Sequence, residues 1–265
     1  MEIVFLGTGA GNGVPEFYCN CDVCLEARKN SKWRRTRSSI LISDLNSENP
    51  TVLIDAPPEL SSQLLRENIN QIDYLFLTHA HHDHTAGLGD IEIYSNYHRK
   101  SALPAVMSYE TLTHLEKSYP AIERFLQISI VEPGQSLKVS DLTFMPLEAS
   151  HVDGTLGYII ENSLGKRAAY IPDTGPLNDV SKKRLANIDK LILDTTFWGK
   201  NWFPSEHHNF EETVSTAREV NAGELYLTHL SMHYSTPVTN EKIENKIRAT
   251  GEDIFLTYDG MRIRF

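Results

Sequence analysis

Five metal-binding side chains fall within six positions, in the run Thr78-His79-Ala80-His81-His82-Asp83-His84. The run follows directly on the apolar, strand-like stretch Tyr74–Leu77. Imidazole and carboxylate are good ligands for zinc, manganese and iron. Its bland reading is a solvated, histidine-rich loop. The sharper one requires a fold that brings distant partners to the strand end. His79 and His81 are spaced to face one cation from an extended or turning backbone. Asp83 and His84 lie further on, where they can face a second. Partners exist: His151, Asp173 and His229 each follow or close an apolar run. Taken singly, each could be a hydrogen-bonded histidine or a turn aspartate. Taken together, they complete a two-metal set.

The rest of the chain is consistent with such a rim. Short runs rich in β-branched residues read as strands at Ile3–Leu6, Ser39–Ile42, Thr51–Ile54, Tyr74–Leu77, Leu142–Pro146, Gly157–Ile160, Ala168–Ile171, Leu191–Leu193 and Leu225–Leu227. Helical patterns occupy Glu59–Glu67, Leu177–Ala186, Phe210–Val220 and Asn240–Ala249. Pro176 before Asn178, and Asn209 before a Glu-rich turn, are helix-start signals. The first half reads as mostly strands and the second as a mixture. With 265 residues and 40% hydrophobic content, one layered α/β or α+β domain with two packed sheets is expected. Residues at strand ends are held by a rigid scaffold yet reach solvent, which suits a catalytic rim.

Charge and cysteine usage narrow the setting. The chain carries 25 Lys+Arg against 35 Asp+Glu, a formal net charge of -10. That surface argues against a dedicated nucleic-acid binder, and no stable nucleic-acid complex is expected. Small phosphorylated substrates remain open, because a few local cations or metals can hold them. Met1-Glu2-Ile3 opens no basic signal-peptide region, and no run of about 18 apolar residues suggests a membrane span. All three cysteines lie in Cys19-Asn20-Cys21-Asp22-Val23-Cys24. They are a poor disulfide framework and a good zinc knuckle, with one tetrahedral position left for a distant histidine. A cytoplasmic protein is expected.

Several smaller features have two readings. Gly7–Gly13 contains four glycines but leads to Pro15 and the cysteines rather than to a helix, so a dinucleotide loop is excluded. It is either a turn that admits a phosphate or sugar or a tight turn needing positive φ. Lys32, Arg34, Arg35 and Arg37 are either a solvated face or an attractor of anions. Phe197, Trp198, Trp202 and Phe203 either wall a pocket or pack a long loop. In Glu206-His207-His208-Asn209, a histidine near neutrality could serve a leaving oxygen.

The motif His-x-His-x-Asp-His with a distant His, Asp and His resembles the signature of the metallo-β-lactamase fold superfamily. The resemblance covers essentially the whole chain. It implies a four-layer αββα sandwich, α+β in class, as a single domain over residues 1–265. It also implies that His79, His81 and His151 hold one metal, that Asp83, His84 and His229 hold the other, and that Asp173 bridges them. Asp55 is similar to the aspartate that orients a ligand histidine in that superfamily. His82 is the variable position of the motif.

The cysteine knuckle, with Gly7–Pro15, Arg34–Ser39 and Thr257-Tyr258-Asp259-Gly260-Met261, looks like the PhnP family of phosphodiesterases from the carbon–phosphorus lyase pathway of phosphonate metabolism. That resemblance implies a structural zinc on Cys19, Cys21, Cys24 and His233. His233 lies four positions after His229, one more than the familiar family spacing. It also implies a catalytic histidine before the helix, best matched by His208 ahead of His207, and a catalytic part for the ligand Asp83. Two divalent ions, zinc or manganese, would lower the pKa of a shared water and supply hydroxide that attacks phosphorus in line. His208 would assist the departing oxygen. The implied substrate is 5-phosphoribosyl 1,2-cyclic phosphate, opened to ribose 1,5-bisphosphate, with cyclic nucleotides as secondary substrates. The rivals are a tRNase Z-like RNA 3′-processing endonuclease, a PqqB-like cofactor-biosynthesis protein, a non-catalytic sensor, and a thioesterase or lactonase. A homodimer is compatible with the sequence.

Overall fold

The computed structural model describes residues 1–43, 50–234 and 236–264. Fourteen strands form among them: β1 (Glu2–Gly7), β2 (Ser39–Ser43), β3 (Val52–Ile54), β4 (Tyr74–Phe76), β5 (Leu103–Met107), β6 (Leu126–Ile130), β7 (Leu137–Val139), β8 (Leu142–Glu148), β9 (Leu156–Glu161), β10 (Arg167–Ile171), β11 (Lys190–Asp194), β12 (Glu224–Thr228), β13 (Ile254–Leu256) and β14 (Arg262–Arg264). The α-helices are α1 (Asp22–Lys29), α2 (Leu60–Arg66), α3 (His82–Thr85), α4 (Leu88–Ile93), α5 (Tyr109–Ser118), α6 (Asp179–Leu185), α7 (Phe210–Glu219) and α8 (Asn240–Thr250).

The strands make two sheets, ordered β14-β1-β2-β3-β4-β5-β6 and β13-β12-β11-β10-β9-β8-β7. Both are mixed. In the first, pairings are antiparallel from β14 to β3 and parallel from β3 to β6. In the second, they are antiparallel from β7 to β10 and parallel from β10 to β13.

Strand residues alternate between two apolar layers, so the central strands read as continuous apolar runs. Ile3, Phe5, Ile40 and Ile42 meet Tyr158, Tyr170, Ile192 and Tyr226 in a core between the sheets. Val4, Leu6 and Leu41 turn the other way, onto Leu60, Leu88, Ile91 and Leu115 of α2, α4 and α5. On the far side Ala169, Ile171, Leu191, Leu193, Leu225 and Leu227 pack on Leu185, Phe210, Val214 and Ile243 of α6, α7 and α8. The layers are therefore helix, sheet, sheet, helix.

All nine expected strands and all four expected helices form, within a few residues of the expected ends. Asn178 caps α6 by accepting from the Ser181 amide at 2.8 Å. Asn209 and Glu212 form a reciprocal capping box on α7. The first half is not mostly strands, because α1 to α5 all lie before residue 119. These helices are short or carry few apolar residues, which hides their period. No helix among the described residues is long and apolar enough to cross a membrane.

Candidate metal centre

The first sheet's parallel strands and the second sheet's end at a common edge. Asp55 follows β3, and Thr78 and His79 follow β4. Asp173 follows β10, Asp194 closes β11, and His229 follows β12. Open sheets place their sites in such crevices beyond the carboxyl ends of strands.

Ligand atoms of His79, His81 and His151 lie within 4.8 Å of one another, as do those of Asp83, His84 and His229. His79, His84 and Asp173 form a third such group, which joins the first two. The structure thus brings together all seven residues expected to hold the metal pair. Asp173 sits centrally: its carboxylate oxygens lie 3.0 Å from His84 Nε2, 3.2 Å from His229 Nε2 and 3.9 Å from His151 Nε2. His81 Nδ1 faces His151 Nε2 at 3.0 Å. His82 is exposed.

Four of the five rings are aimed by their other nitrogen. Buried Asp55 accepts from His84 Nδ1 at 2.8 Å, and from the Thr78 amide at 2.8 Å. Thr78 Oγ1 donates to Asp55 at 2.9 Å and so accepts from His79 Nδ1 at 3.0 Å. The second sheet repeats this device. Thr196 Oγ1 donates to Asp194 at 2.7 Å and accepts from His229 Nδ1 at 2.8 Å. The Glu206 carbonyl accepts from His151 Nδ1 at 3.1 Å. In these four the Nδ1 proton points outward and leaves the Nε2 lone pair inward for a metal, whereas His81 faces the centre through Nδ1.

His79 Nε2, His84 Nε2, His229 Nε2 and Asp173 Oδ2 are buried and have no hydrogen-bond partner. Buried polar atoms left unpaired cost roughly 1–3 kcal/mol each, and a cation among them removes that cost. Burial holds the His79 imidazole well below its ordinary pKa, so it is neutral, as a ligand must be. Burial opposes charge on His84 too, but Asp173, Asp83 and Asp55 outweigh it and raise that ring strongly. Three carboxylates competing for one proton are suited to divalent cations instead. The residues therefore fit a pair of metals.

His207 and His208 separate. His207 Nδ1 lies 2.8 Å from Asp194 and 3.8 Å from Asp173. Its ring centroid is 4.8 Å from that of His151 and 5.5 Å from that of His229. Burial works against its charge, yet Asp194 and Asp173 raise its pKa to about 9. His208 is buried outside these groups, with Nδ1 unpartnered and its pKa lowered by burial. The position expected for His208, beside the metal-centre residues, is occupied by His207. Asp194 was invisible among the candidates. Its only signal is that it closes an apolar strand, as Asp55 does.

Cys19, Cys21, Cys24 and His233 also bring their ligand atoms within 4.8 Å of one another. Cys24 Sγ lies 3.4 Å from His233 Nδ1, while His233 Nε2 contacts the Asn12 amide group and lies 3.5 Å from Glu16. The longer spacing is absorbed by positive φ at His229 and Met232. Burial pushes the Cys24 thiol up to about 12, a bias that a bound cation reverses by taking the thiolate.

The remaining features resolve as follows. A Cβ on Gly11 would come within 3.0 Å of Asp83 Oδ2, so the glycine loop lies directly on the metal centre. Arg35 is neither solvated nor an anion attractor: it is buried and bonds Thr8, Asn240 and the Thr257 carbonyl. Arg37 pairs with Glu59 and bonds the Gly11 carbonyl at 3.1 Å. Phe197 packs behind His207, with ring centroids 6.0 Å apart, and Trp198 packs on Phe210 at 5.2 Å. Trp202 and Phe203 stay half exposed.

Comparison with known proteins agrees with this geometry. An Octanoyltransferase of Porphyromonas gingivalis is 29% identical over 250 residues, covering 92% of this chain but 48% of its own length. The chain thus spans about half of that relative. A Coenzyme PQQ synthesis protein B of Methylobacterium radiotolerans is 29% identical over 224 residues, covering 74% of this chain and 73% of its own. Among solved structures, a diphosphatase from the PhnP family superposes with a TM-score of 0.84 at 28% identity, over 100% of this chain and 96% of that one. The model of the Beta-lactamase superfamily domain matches residues 50–230, which hold all seven residues of the metal centre. The chain therefore belongs to the β-lactamase superfamily and has the metallo-β-lactamase fold.

Proposed function

We propose that the chain is a dinuclear metal-dependent phosphodiesterase acting on a small cyclic phosphodiester. The observation that carries this reading is the convergence of unpartnered His79, His84, His229 and Asp173 atoms at one buried point. The PhnP-family likeness supports the phosphoryl chemistry, and 5-phosphoribosyl 1,2-cyclic phosphate is one of the cyclic phosphodiesters to test. Zinc or manganese pairs suit the catalytic ligands, and zinc suits the cysteine knuckle. Two bound cations would lower the pKa of a water and neutralise charge developing on phosphoryl oxygens.

The chain's own residues do the rest. Asp55, Thr78 and Thr196 hold the ligand rings in place, and Asp194 holds Thr196. Hydrolysis joins a water oxygen to phosphorus and breaks one ester bond, and the departing oxygen needs a proton. With its pKa raised to about 9, His207 carries one at neutral pH, beside His151 and His229. Asp194 keeps that imidazolium charged and aimed.

A second reading, a PqqB-like role, rests on the 29% identity to that relative. The deciding assay loads the protein with manganese or zinc. It measures turnover of 5-phosphoribosyl 1,2-cyclic phosphate, 2′,3′-cyclic AMP and a precursor tRNA, with Asp173→Ala as the blank. Turnover of a small cyclic phosphodiester, lost in the blank, is expected. No turnover of any phosphodiester by metal-replete protein would reject the phosphodiesterase in favour of the PqqB-like reading.

A further inference from the structure

A cavity of about 420 Å³ adjoins the metal centre on its His81 and His151 side, and its polar lining also includes Thr111, His114 and Asp153. A second cavity of about 420 Å³ shares His151 and Asp153 and runs on past Glu110, Glu132 and Glu148. Every carboxylate or amine side chain that lines the two is acidic, and no Lys or Arg is among them. The wall is tightly built. Gly154 has φ +78, and a Cβ there would lie 2.5 Å from Glu110 Cβ. The turn after His151 is thereby pressed onto the first turn of α5.

His114, on α5, places Nδ1 2.9 Å from the Glu110 carbonyl. A carbonyl only accepts, so Nδ1 carries the proton and Nε2 of the neutral ring is an acceptor. Among the groups the cavity offers, His114 Nε2 and the Asp153 carboxylate accept, and the Thr111 hydroxyl, which accepts from Ser108 Oγ at 2.8 Å, keeps its proton to donate. Such a lining suits a hydroxyl, which both donates and accepts. The acidic wall repels a phosphate.

We propose that this cavity is a subsite for the uncharged, hydroxyl-bearing part of the substrate. His114 accepts a hydrogen bond from a substrate hydroxyl there, and the acidic wall turns away a second phosphate. The inference rests on the phosphodiesterase reading and narrows its substrate class to sugar or nucleoside cyclic phosphates whose reacting phosphodiester is the sole phosphate.

The test compares kcat and KM of the metal-loaded full chain on three compounds. They are ribosyl 1,2-cyclic phosphate, its 5-phosphorylated form, and bis(p-nitrophenyl) phosphate, which has no hydroxyl. Wild type is expected to favour the unphosphorylated sugar. His114→Ala should lower its kcat/KM relative to bis(p-nitrophenyl) phosphate by about five- to tenfold, mainly through KM. His114→Gln, which keeps an acceptor, should recover part of that loss. Glu110→Gln and Asp153→Asn should each raise activity on the 5-phosphorylated sugar relative to the unphosphorylated one by about two- to threefold. A preference for the 5-phosphorylated sugar that these variants leave unmoved, or an unmoved His114→Ala ratio, overturns the subsite alone. Absence of turnover on all three compounds overturns the phosphodiesterase reading, and the subsite with it.

Discussion

Neighbouring residues in this chain have opposite fates, and the difference is set by which way the backbone turns. His207 joins the metal centre, whereas His208 is buried apart from it. We expect His207→Ala to lower kcat on the order of 100-fold, and His208→Ala to leave kcat within about threefold, as steady-state assays of the metal-loaded variants would show. The reverse order would return the acid to His208. The sequence narrowed the candidate acid to this pair and could go no further, because which of two adjacent loop histidines meets Asp194 and Asp173 is set only by the folded backbone. Arg35 carries a similar lesson. Its place in a basic run suggested solvent, yet its guanidinium bonds Thr8, Asn240 and Thr257 from full burial, which lowers its pKa to about 10. Arg35→Met leaves those acceptors unpaired and should cost about 3 kcal/mol in a urea unfolding curve.

The element that positions His207 is the start of α7. Asn209 accepts from the Glu212 amide at 3.0 Å, and Glu212 returns to the Asn209 amide at 2.8 Å. Asn201 ties the same turn together, donating to both the His207 carbonyl and Glu212 at 2.7 Å. Asn209→Ala should destabilise the fold by about 1 kcal/mol, read as a lower melting temperature, and should reduce activity beyond what that loss explains. A stability change with unaltered kcat would mean that the cap does not aim the histidine. Elements of this kind were legible wherever local chemistry is strong. The caps at Asn178 and Asn209 and the doubly buried strands such as Leu191–Leu193 are examples. β5 was not legible, because Pro104 lacks a ladder donor and reads as an interruption. β14 was not legible either, because Arg262-Ile263-Arg264 holds a single apolar residue.

At the scale of the molecule, each sheet supplies part of the metal centre. His79, His81, Asp83 and His84 follow the first sheet's β4, and His151, Asp173 and His229 come from loops of the second. Metal bound there cross-links the two layers. Chelation should therefore lower the melting temperature by several degrees, since a ligand that binds only the folded chain stabilises it in proportion to occupancy. An unchanged melting curve after verified metal removal would show that the inter-sheet core alone sets stability. The candidate ligands were legible because His79, His81, Asp83 and His84 cluster within six positions and His151, Asp173 and His229 each follow or close an apolar run. The acidic wall beside His114 was not, because Glu110, Glu132, Glu148 and Asp153 are scattered in sequence and meet only through the fold.

The distance in sequence between partners also has a consequence for synthesis. The cysteine knuckle closes on His233, 209 positions beyond Cys24, and Ile3 of β1 pairs with Ile263 of β14. A ribosome releases residues in order, at roughly 5–20 per second. While β2 to β12 are being made, the nascent chain therefore displays first three thiols and then four clustered imidazoles as well, with neither set of partners complete. Ions cannot be locked in until residues 229 and 233 have emerged. A metal that completes either site would thus be taken up only after β1 to β12 have been made, and the ions present at that moment would be the ones on offer.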